Sequence, residues 1–333
     1  MANVFAFGIG LATTNNSGDV LDCLFPAPLL HPATDLNDAL TAFKAGTSHI
    51  TPEQARDANS RCDGKLFPAS MLAADRPLTA VCLAADSPIN STAEAYLKLH
   101  LLSHRLTRPN TLNLDNIFAH LPNLAWTTEG PIEVHALQAA LLNARLTGRH
   151  LEVMSVDKFP KMANYVMPSG VRIADASRIR LGAYLGEGTT VMHEGFVNFN
   201  AGAMGPNMVE GRISQGVTID EGTDLGGSAS TMGTLSGGGE ITISLGKNCL
   251  IGANAGTGIP LGDRCTIEAG LYITAGSVIS VVDEHGEAIR EVKARELAGG
   301  SDLLFIRNSQ TGQVICRTNR QAIALNDALH AHN

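Results

Sequence analysis

The residues of this chain whose types and spacing suit chemistry fall in two short runs. These are Met208-Val-Glu-Gly-Arg-Ile-Ser214 and Leu225-Gly-Gly-Ser-Ala-Ser-Thr-Met-Gly-Thr-Leu-Ser-Gly-Gly-Gly239. In the first run, Glu210 is a carboxylate in a Val-Glu-Gly-Arg turn, able to take a proton from an attacking nucleophile. The bland alternative is a solvated corner glutamate. Arg212, two residues on, carries the planar fork that pairs a carboxylate through two hydrogen bonds; a structural ion pair would use it equally well. In the second run, Gly227, Ser230 and Gly233 offer backbone or hydroxyl donors to an oxygen on which negative charge develops. Glycines at such spacing also serve simply as corners. His193 is the only histidine between residues 173 and 280. Chemistry built on a histidine base, or on three histidine metal ligands, therefore has little to stand on.

Both runs sit inside a repeat. From Ile173 an aliphatic or small apolar residue returns every six positions, through Ile179, Leu185, Val191, Val197, Ala203 and Val209. After a change of phase it resumes at Ile219 and Leu225, then Leu245 and Ile251, then Leu261, Ile267 and Ile273. Small residues such as Ala183, Ala201, Ala229, Cys249, Ala255 and Cys265 recur four positions later. A helix needs an apolar period near 3.6 and a flat strand a period of 2. A period of six fits a short strand plus a corner, three of which close a coil of about eighteen residues stacked at roughly 4.8 Å. The spacing predicts a parallel β-helix over residues 173–278. Ser214-Gln215-Gly216 and the stretch from Thr231 to Glu240 break the count, and both are expected to leave the prism as loops.

Other elements support this prism. Residues 1–120 read as an α/β domain. Thr51-Pro52-Glu53-Gln54 and Ser91-Thr92-Ala93-Glu94 are helix-starting signals, and residues 4–9 and 78–83 read as strands. Residues 121–170 read as a helical linker, with an amphipathic helix over 131–145 carrying Val134, Leu137, Leu141 and Leu142 on one face. It ends in a stretch with two lysines, Lys158 and Lys161, that either covers a cleft or merely connects. The β-helix takes 171–280. Residues 281–333 supply strands near 302–307 and 313–317 and a short helix near 322–330. The fold class is mainly β.

A chain of 333 residues is long for one core. A net charge of −8 without a Lys/Arg cluster argues against nucleic acid or an anionic membrane surface as partner. No apolar run reaches the roughly 18 residues of a membrane span, and the N-terminus has no basic region ahead of an apolar core. Six scattered cysteines with no C-x-x-C pair suggest buried free thiols rather than zinc ligands or disulfides, and with them a cytoplasmic location.

The two chemical runs, with Asn254-Ala-Gly-Thr-Gly-Ile-Pro260, Cys265-Thr-Ile-Glu-Ala-Gly270, Val292-Lys-Ala-Arg-Glu-Leu297 and Leu303-Leu-Phe-Ile-Arg-Asn-Ser309, closely resemble a known family. It is that of the 2,3,4,5-tetrahydropyridine-2,6-dicarboxylate (tetrahydrodipicolinate) N-succinyltransferases, in their longer actinobacterial and pseudomonad form. The likeness is strong from about residue 153 to the C-terminus and weaker before it. It implies left-handed winding of the coils, an exception to the usual right-handed crossover, and a homotrimer. It also implies transfer of a succinyl group from succinyl-CoA to the amine of L-2-amino-6-oxopimelate, the ring-opened form of tetrahydrodipicolinate, in the diaminopimelate and lysine pathway.

By this resemblance Glu210 is the catalytic glutamate, acting either as a base or as a nucleophile that forms an acyl-anhydride. Arg212 belongs to the succinyl-CoA site. Ala253, Glu268, Ala269, Gly276, Lys293, Ile306, Arg307, Asn308 and Ser309 match positions along a CoA groove between subunits. Lys293 and Arg307 carry the most physical weight, because CoA phosphates need cations on an acidic chain. Glu194 matches one ligand of a structural magnesium ion on the trimer axis. Ser177 stands where the family has the aspartate partner, although magnesium favours carboxylate oxygens. The rival readings are a β-helix O- or N-acetyltransferase with another acceptor, the hexapeptide carbonic anhydrase type, and a non-catalytic scaffold.

Overall fold

In the computed structural model, which describes residues 4–33, 36–37, 40, 43–73, 76–235 and 241–318, the chain forms two compact units. The first is Met1–Thr107 with Thr111–Val166; the second is Arg108–Asn110 with Met167–Asn333.

In the first unit, strand Ala6–Thr14 pairs antiparallel with Val20–Leu24, Leu29–Leu30 and Leu78–Leu83, and the last pairs in turn with Gly46–Ile50. Helix Pro52–Arg61 starts where its signal lies. The Thr51 hydroxyl accepts the Gln54 N–H, and the Gln54 side chain accepts the Thr51 N–H, satisfying two donors that a helix start leaves over. Ser91 caps helix Thr92–Ser103 by accepting the Glu94 N–H, while the Glu94 carboxylate accepts the Asn90 N–H. That helix is buried on every side from Ala93 to Ser103. Its one lysine, Lys98, is accommodated by the Asp86 carboxylate and the carbonyls of Ser87 and Asn113.

Residues 121–166 are more than a helical linker. Strand Leu124–Thr127 pairs with Gly130–Glu133 and Val153–Asp157 in a three-stranded sheet within the first unit. The helix read over 131–145 begins only at Leu137, because Gly130–Glu133 is drawn into the hairpin and Val134–Ala136 makes one 3₁₀ turn. Of its apolar stripe, Leu137 and Leu141 are half-buried, while Leu142 is 60% exposed.

The second unit is a left-handed parallel β-helix of six coils. Its first face stacks Ile173, Val191, Val209, Leu225, Ile251 and Ile267. The second stacks Ile179, Val197, Ile213, Thr231, Thr257 and Ile273. The third stacks Leu185, Ala203, Ile219, Leu245 and Leu261. Beyond Ile173, every one of these is at most 3% exposed. The small residues between them, Cys249 and Cys265 included, are buried too, and none of the six cysteines is in a disulfide.

The change of phase has a different origin from the one expected. Two corners are short: Val209 to Ile213 and Thr257 to Leu261 each advance four residues where six are usual. Ser214-Gln215-Gly216 is therefore an ordinary corner, closed by Val217 N–H donating to the Ser214 carbonyl, and not a loop. The excursion after Thr231 does leave the prism, pinned at its base by Thr234 and Thr242. Its glycine-rich tip, 236–240, lies outside the described residues.

After the sixth coil, strands Val278–Val282, Ala288–Lys293, Leu303–Arg307 and Val314–Thr318 extend the first face, with Leu303–Arg307 parallel to Thr266–Ile267. The last two are the strands expected near 302–307 and 313–317. The helix expected near residues 322–330 lies outside the described residues. Among the described residues no helix is long and apolar enough to cross a membrane.

Candidate active site

The prism edge between the first and second faces carries Glu194, Glu210 and Glu268. Every coil turns this edge on leaving its first-face strand, so the corner residues of successive coils stack: Glu194, Glu210, Gly227 with Ser228, Ala253 with Asn254, and Glu268 with Ala269. Backbone bonds tie the corners together. Ser228 N–H donates to the Glu210 carbonyl (3.2 Å), Asn254 N–H to that of Gly227 (2.8 Å), and Gly270 N–H to that of Ala253 (2.8 Å).

Glu210 stands in the shortened corner. A Cβ on Gly211 beside it would fall 2.3 Å from the carbonyl oxygen of Ala229, so only glycine permits this approach of one coil to the next. The Glu210 backbone is thereby held. Its side chain is half-buried, and its carboxylate has no hydrogen-bond or ion-pair partner among the described residues.

Gly227 leaves room over that carboxylate. A Cβ there would lie 3.7 Å from Glu210 Oε2 and 3.8 Å from Glu194 Oε2, so one glycine is flanked by two acids. Glu194 is engaged: the Ser228 hydroxyl donates to its Oε2 at 2.7 Å. Sequence reading passed over Ser228, since a serine in a left-handed corner (φ 57°) leaves no mark in the six-residue count. The exposed His193 has Nε2 3.9 Å from Glu194 Oε1, which suits a surface group.

Arg212 and Ser230 face each other on adjacent strands of the second face. The guanidinium donates to the Ser230 hydroxyl from Nε (3.1 Å) and Nη2 (2.5 Å), with further N–H donors left for a ligand carboxylate. The other residues singled out divide into two groups. Ala253, Glu268, Ala269 and Arg307 continue the carboxylate edge, the Arg307 N–H donating to Glu268 Oε2 at 2.7 Å. Ile306 precedes Arg307 in its strand. Asn308 and Ser309 open the turn that follows, where Asn308 Oδ1 accepts the Gln310 and Thr311 N–H groups.

Gly233, Gly276 and Lys293 lie across the second face, toward the next edge. Gly233 begins the excursion after Thr231, Gly276 sits in the open corner after Ile273, and Lys293 pairs with Val278. One chain thus does not bring all these residues together; it sets two groups on either side of one face.

The magnesium expectation finds little in a single chain. The Ser177 hydroxyl donates to Asp175 Oδ1 at 2.6 Å, and Glu194 already holds Ser228. Among the described residues no group of three His, Cys, Asp or Glu is placed to hold a metal. Within one chain, a carboxylate with hydroxyl neighbours offers too few oxygens for a hard cation that takes about six, and no step below runs through one.

Comparison with known proteins places these features in context. A family profile described as the hexapeptide repeat of succinyl-transferase matches residues 242–275, and one described as tetrahydrodipicolinate N-succinyltransferase middle matches residues 121–161. Over 341 residues the chain is 54% identical to the 2,3,4,5-tetrahydropyridine-2,6-dicarboxylate N-succinyltransferase of Pseudomonas aeruginosa, covering 99% of each. The protein of that name from Vibrio cholerae is 52% identical over 340 residues, again with 99% of each covered. A crystal structure from Campylobacter jejuni, described as a 2,3,4,5-tetrahydropyridine-2-carboxylate N-succinyltransferase, superposes with a TM-score of 0.86. It is 31% identical, with 97% of this chain and 94% of that one covered.

Proposed function

The chain belongs to the 2,3,4,5-tetrahydropyridine-2,6-dicarboxylate N-succinyltransferase family, and on that footing we propose that Glu210 is the carboxylate at which its acyl transfer takes place. The protein is an acyltransferase of diaminopimelate and lysine biosynthesis, with succinyl-CoA as donor. The acceptor is the amine of L-2-amino-6-oxopimelate, and the products are N-succinyl-2-amino-6-oxopimelate and CoA.

An ammonium has no lone pair, so the acceptor first gives one proton to solvent. As the amine nitrogen closes on the thioester carbon, Glu210 accepts the second proton. The carbonyl π pair moves to oxygen, where the Gly227 N–H and the Ser230 hydroxyl are suitable donors. When the oxyanion collapses, the C–S bond breaks and the proton on Glu210 passes to the CoA thiolate. Arg212 pairs the distal carboxylate of the succinyl group, and Lys293 and Arg307 take the CoA phosphates. The observation that carries this reading is a half-buried carboxylate, without a partner among the described residues, in a corner whose backbone has no slack, facing a glycine.

Glu210→Gln is expected to lower kcat by about a hundredfold or more while circular dichroism and assembly stay unchanged. Retained turnover removes Glu210 from the chemistry. Incubation with succinyl-CoA alone separates the two routes: a succinyl adduct on the peptide bearing Glu210 selects the acyl-anhydride, and its absence selects direct attack.

The two groups of residues on either side of the second face support a trimer in which each site takes one group from each of two neighbouring chains. The buried thiols, none of them in a disulfide, support work in the reducing cytoplasm.

A further inference from the structure

In the first unit, the ribbon Ala6–Thr14/Val20–Leu24 and the hairpin Leu124–Thr127/Gly130–Glu133 line a cavity of about 560 Å³, within the size range of small-molecule sites. Strand register makes one wall. Thr13 pairs with Asp22 and Leu11 with Leu24, so these four side chains share one face of the ribbon. Trp126 makes another, its indole fixed by Nε1 donating to the Asp157 carbonyl at 2.9 Å.

Three charges line this space. Arg76 Nη1 donates to the Thr13 hydroxyl at 2.7 Å, which anchors the guanidinium and leaves its other donors available. Lys161 is half-buried, and its ammonium has as neighbour the Met154 sulfur at 3.8 Å, a weak acceptor. Neither cation meets a carboxylate among the described residues. The third charge is Asp22, whose Oδ2 accepts the Tyr165 O–H at 2.5 Å. Burial raises the Tyr165 pKa well above its ordinary value and so keeps that proton in place. Both contacts are solvent-exposed, so an entering anion reaches either cation without first displacing a carboxylate.

We propose that this cavity is a second ligand site, separate from the acyl-transfer centre, for a small amino dicarboxylate. Two carboxylates complement Arg76 and Lys161, one ammonium complements Asp22, and the methylenes between them rest on Leu11, Leu24 and Trp126. The cavity is lined by the first unit, whereas Glu210 and Arg212 belong to the second, and its ligand acts as an effector rather than a reactant.

Isothermal titration calorimetry of the full chain tests this, with L-glutamate and L-2-aminoadipate as probes and glutarate, which lacks the ammonium, as control. Saturable binding of the amino acids is expected, at least tenfold tighter than that of glutarate. Arg76→Gln and Lys161→Gln should each weaken it at least tenfold, and Arg212→Ala should leave it unchanged. Asp22→Asn keeps an acceptor for Tyr165 and should abolish the preference over glutarate. A crevice that holds only water gives no saturable heat, and that overturns the proposal. So does binding that survives both cation substitutions, binding lost in Arg212→Ala, or glutarate that matches the amino acids in the unaltered protein.

Discussion

Gly211 and Gly227, in adjacent coils, place opposite demands on the side chain each lacks. At Gly211 a methyl group would meet the Ala229 backbone, which cannot move without parting two coils. Gly211→Ala is expected to lower stability by about 1–3 kcal/mol, read as a fall in Tm. At Gly227 the same methyl group makes ordinary contacts with two carboxylates, so Gly227→Ala should melt as the unaltered chain does. The larger Gly227→Leu should displace Glu210 and lose turnover instead. Thr231→Val removes a hydroxyl that accepts the Ser214 N–H (3.2 Å) and donates to the Arg212 carbonyl (3.0 Å). Its cost should be about 1–3 kcal/mol, measured by denaturant unfolding. Glu210 and Arg212 were singled out in the sequence by a charge on either side of one glycine together with the family resemblance, and the fold sets them in one shortened corner. Thr231 and Thr257 were not, since a polar residue points inward only when backbone groups beyond the count satisfy its hydroxyl. The contrast between the two glycines depends on which carbonyl the next coil presents, and no spacing rule carries that.

The shortened corner is the element on which the proposed site rests. It brings Glu210 to the second face two residues early, and an inserted Gly-Ser pair after Gly211 would restore the six-residue step. Such an insertion should keep the β signature in circular dichroism yet cost about a hundredfold or more in kcat, the scale of effect expected from an ångström-level misplacement. In the first unit, the buried helix Thr92–Ser103 carries its own pH dependence. His100 Nε2 accepts the Phe25 N–H (3.2 Å) and its Nδ1 lies 2.7 Å from the Tyr96 carbonyl, so the ring is neutral with the proton on Nδ1. Burial pushes its pKa down to about 3. The unfolded chain takes up a proton near pH 6.5 that the folded helix refuses. The stability this group contributes is complete above that pH and is lost as pH falls toward 3. Tm should decline through this window, and His100→Gln should flatten the slope whatever it does to absolute stability. The caps of this helix and of Pro52–Arg61 were readable from four residues each. The helix expected over 131–145 was misplaced because a hairpin claimed its first residues, a long-range pairing that local periodicity does not register.

At the level of the whole molecule, the six-residue repeat told the architecture but not how a site is completed. If each site takes Glu210 from one chain and Lys293 from its neighbour, Glu210→Gln chains co-assembled with Lys293→Glu chains should regain activity that neither has alone. No recovery would return the whole site to a single chain. Sedimentation is expected to give three times the 35.0 kDa chain mass. The four strands beyond the sixth coil bear on a different hazard. A stack of parallel coils ends in a row of unsatisfied backbone groups, which invites further copies to add end to end. Here the row is taken up by Leu303–Arg307, and the sheet finishes at Ala288–Lys293, whose Arg290, Glu291 and Lys293 are exposed. Those charges stop templating, so a chain cut before Val278 should lengthen into fibres where the intact protein stays a discrete particle.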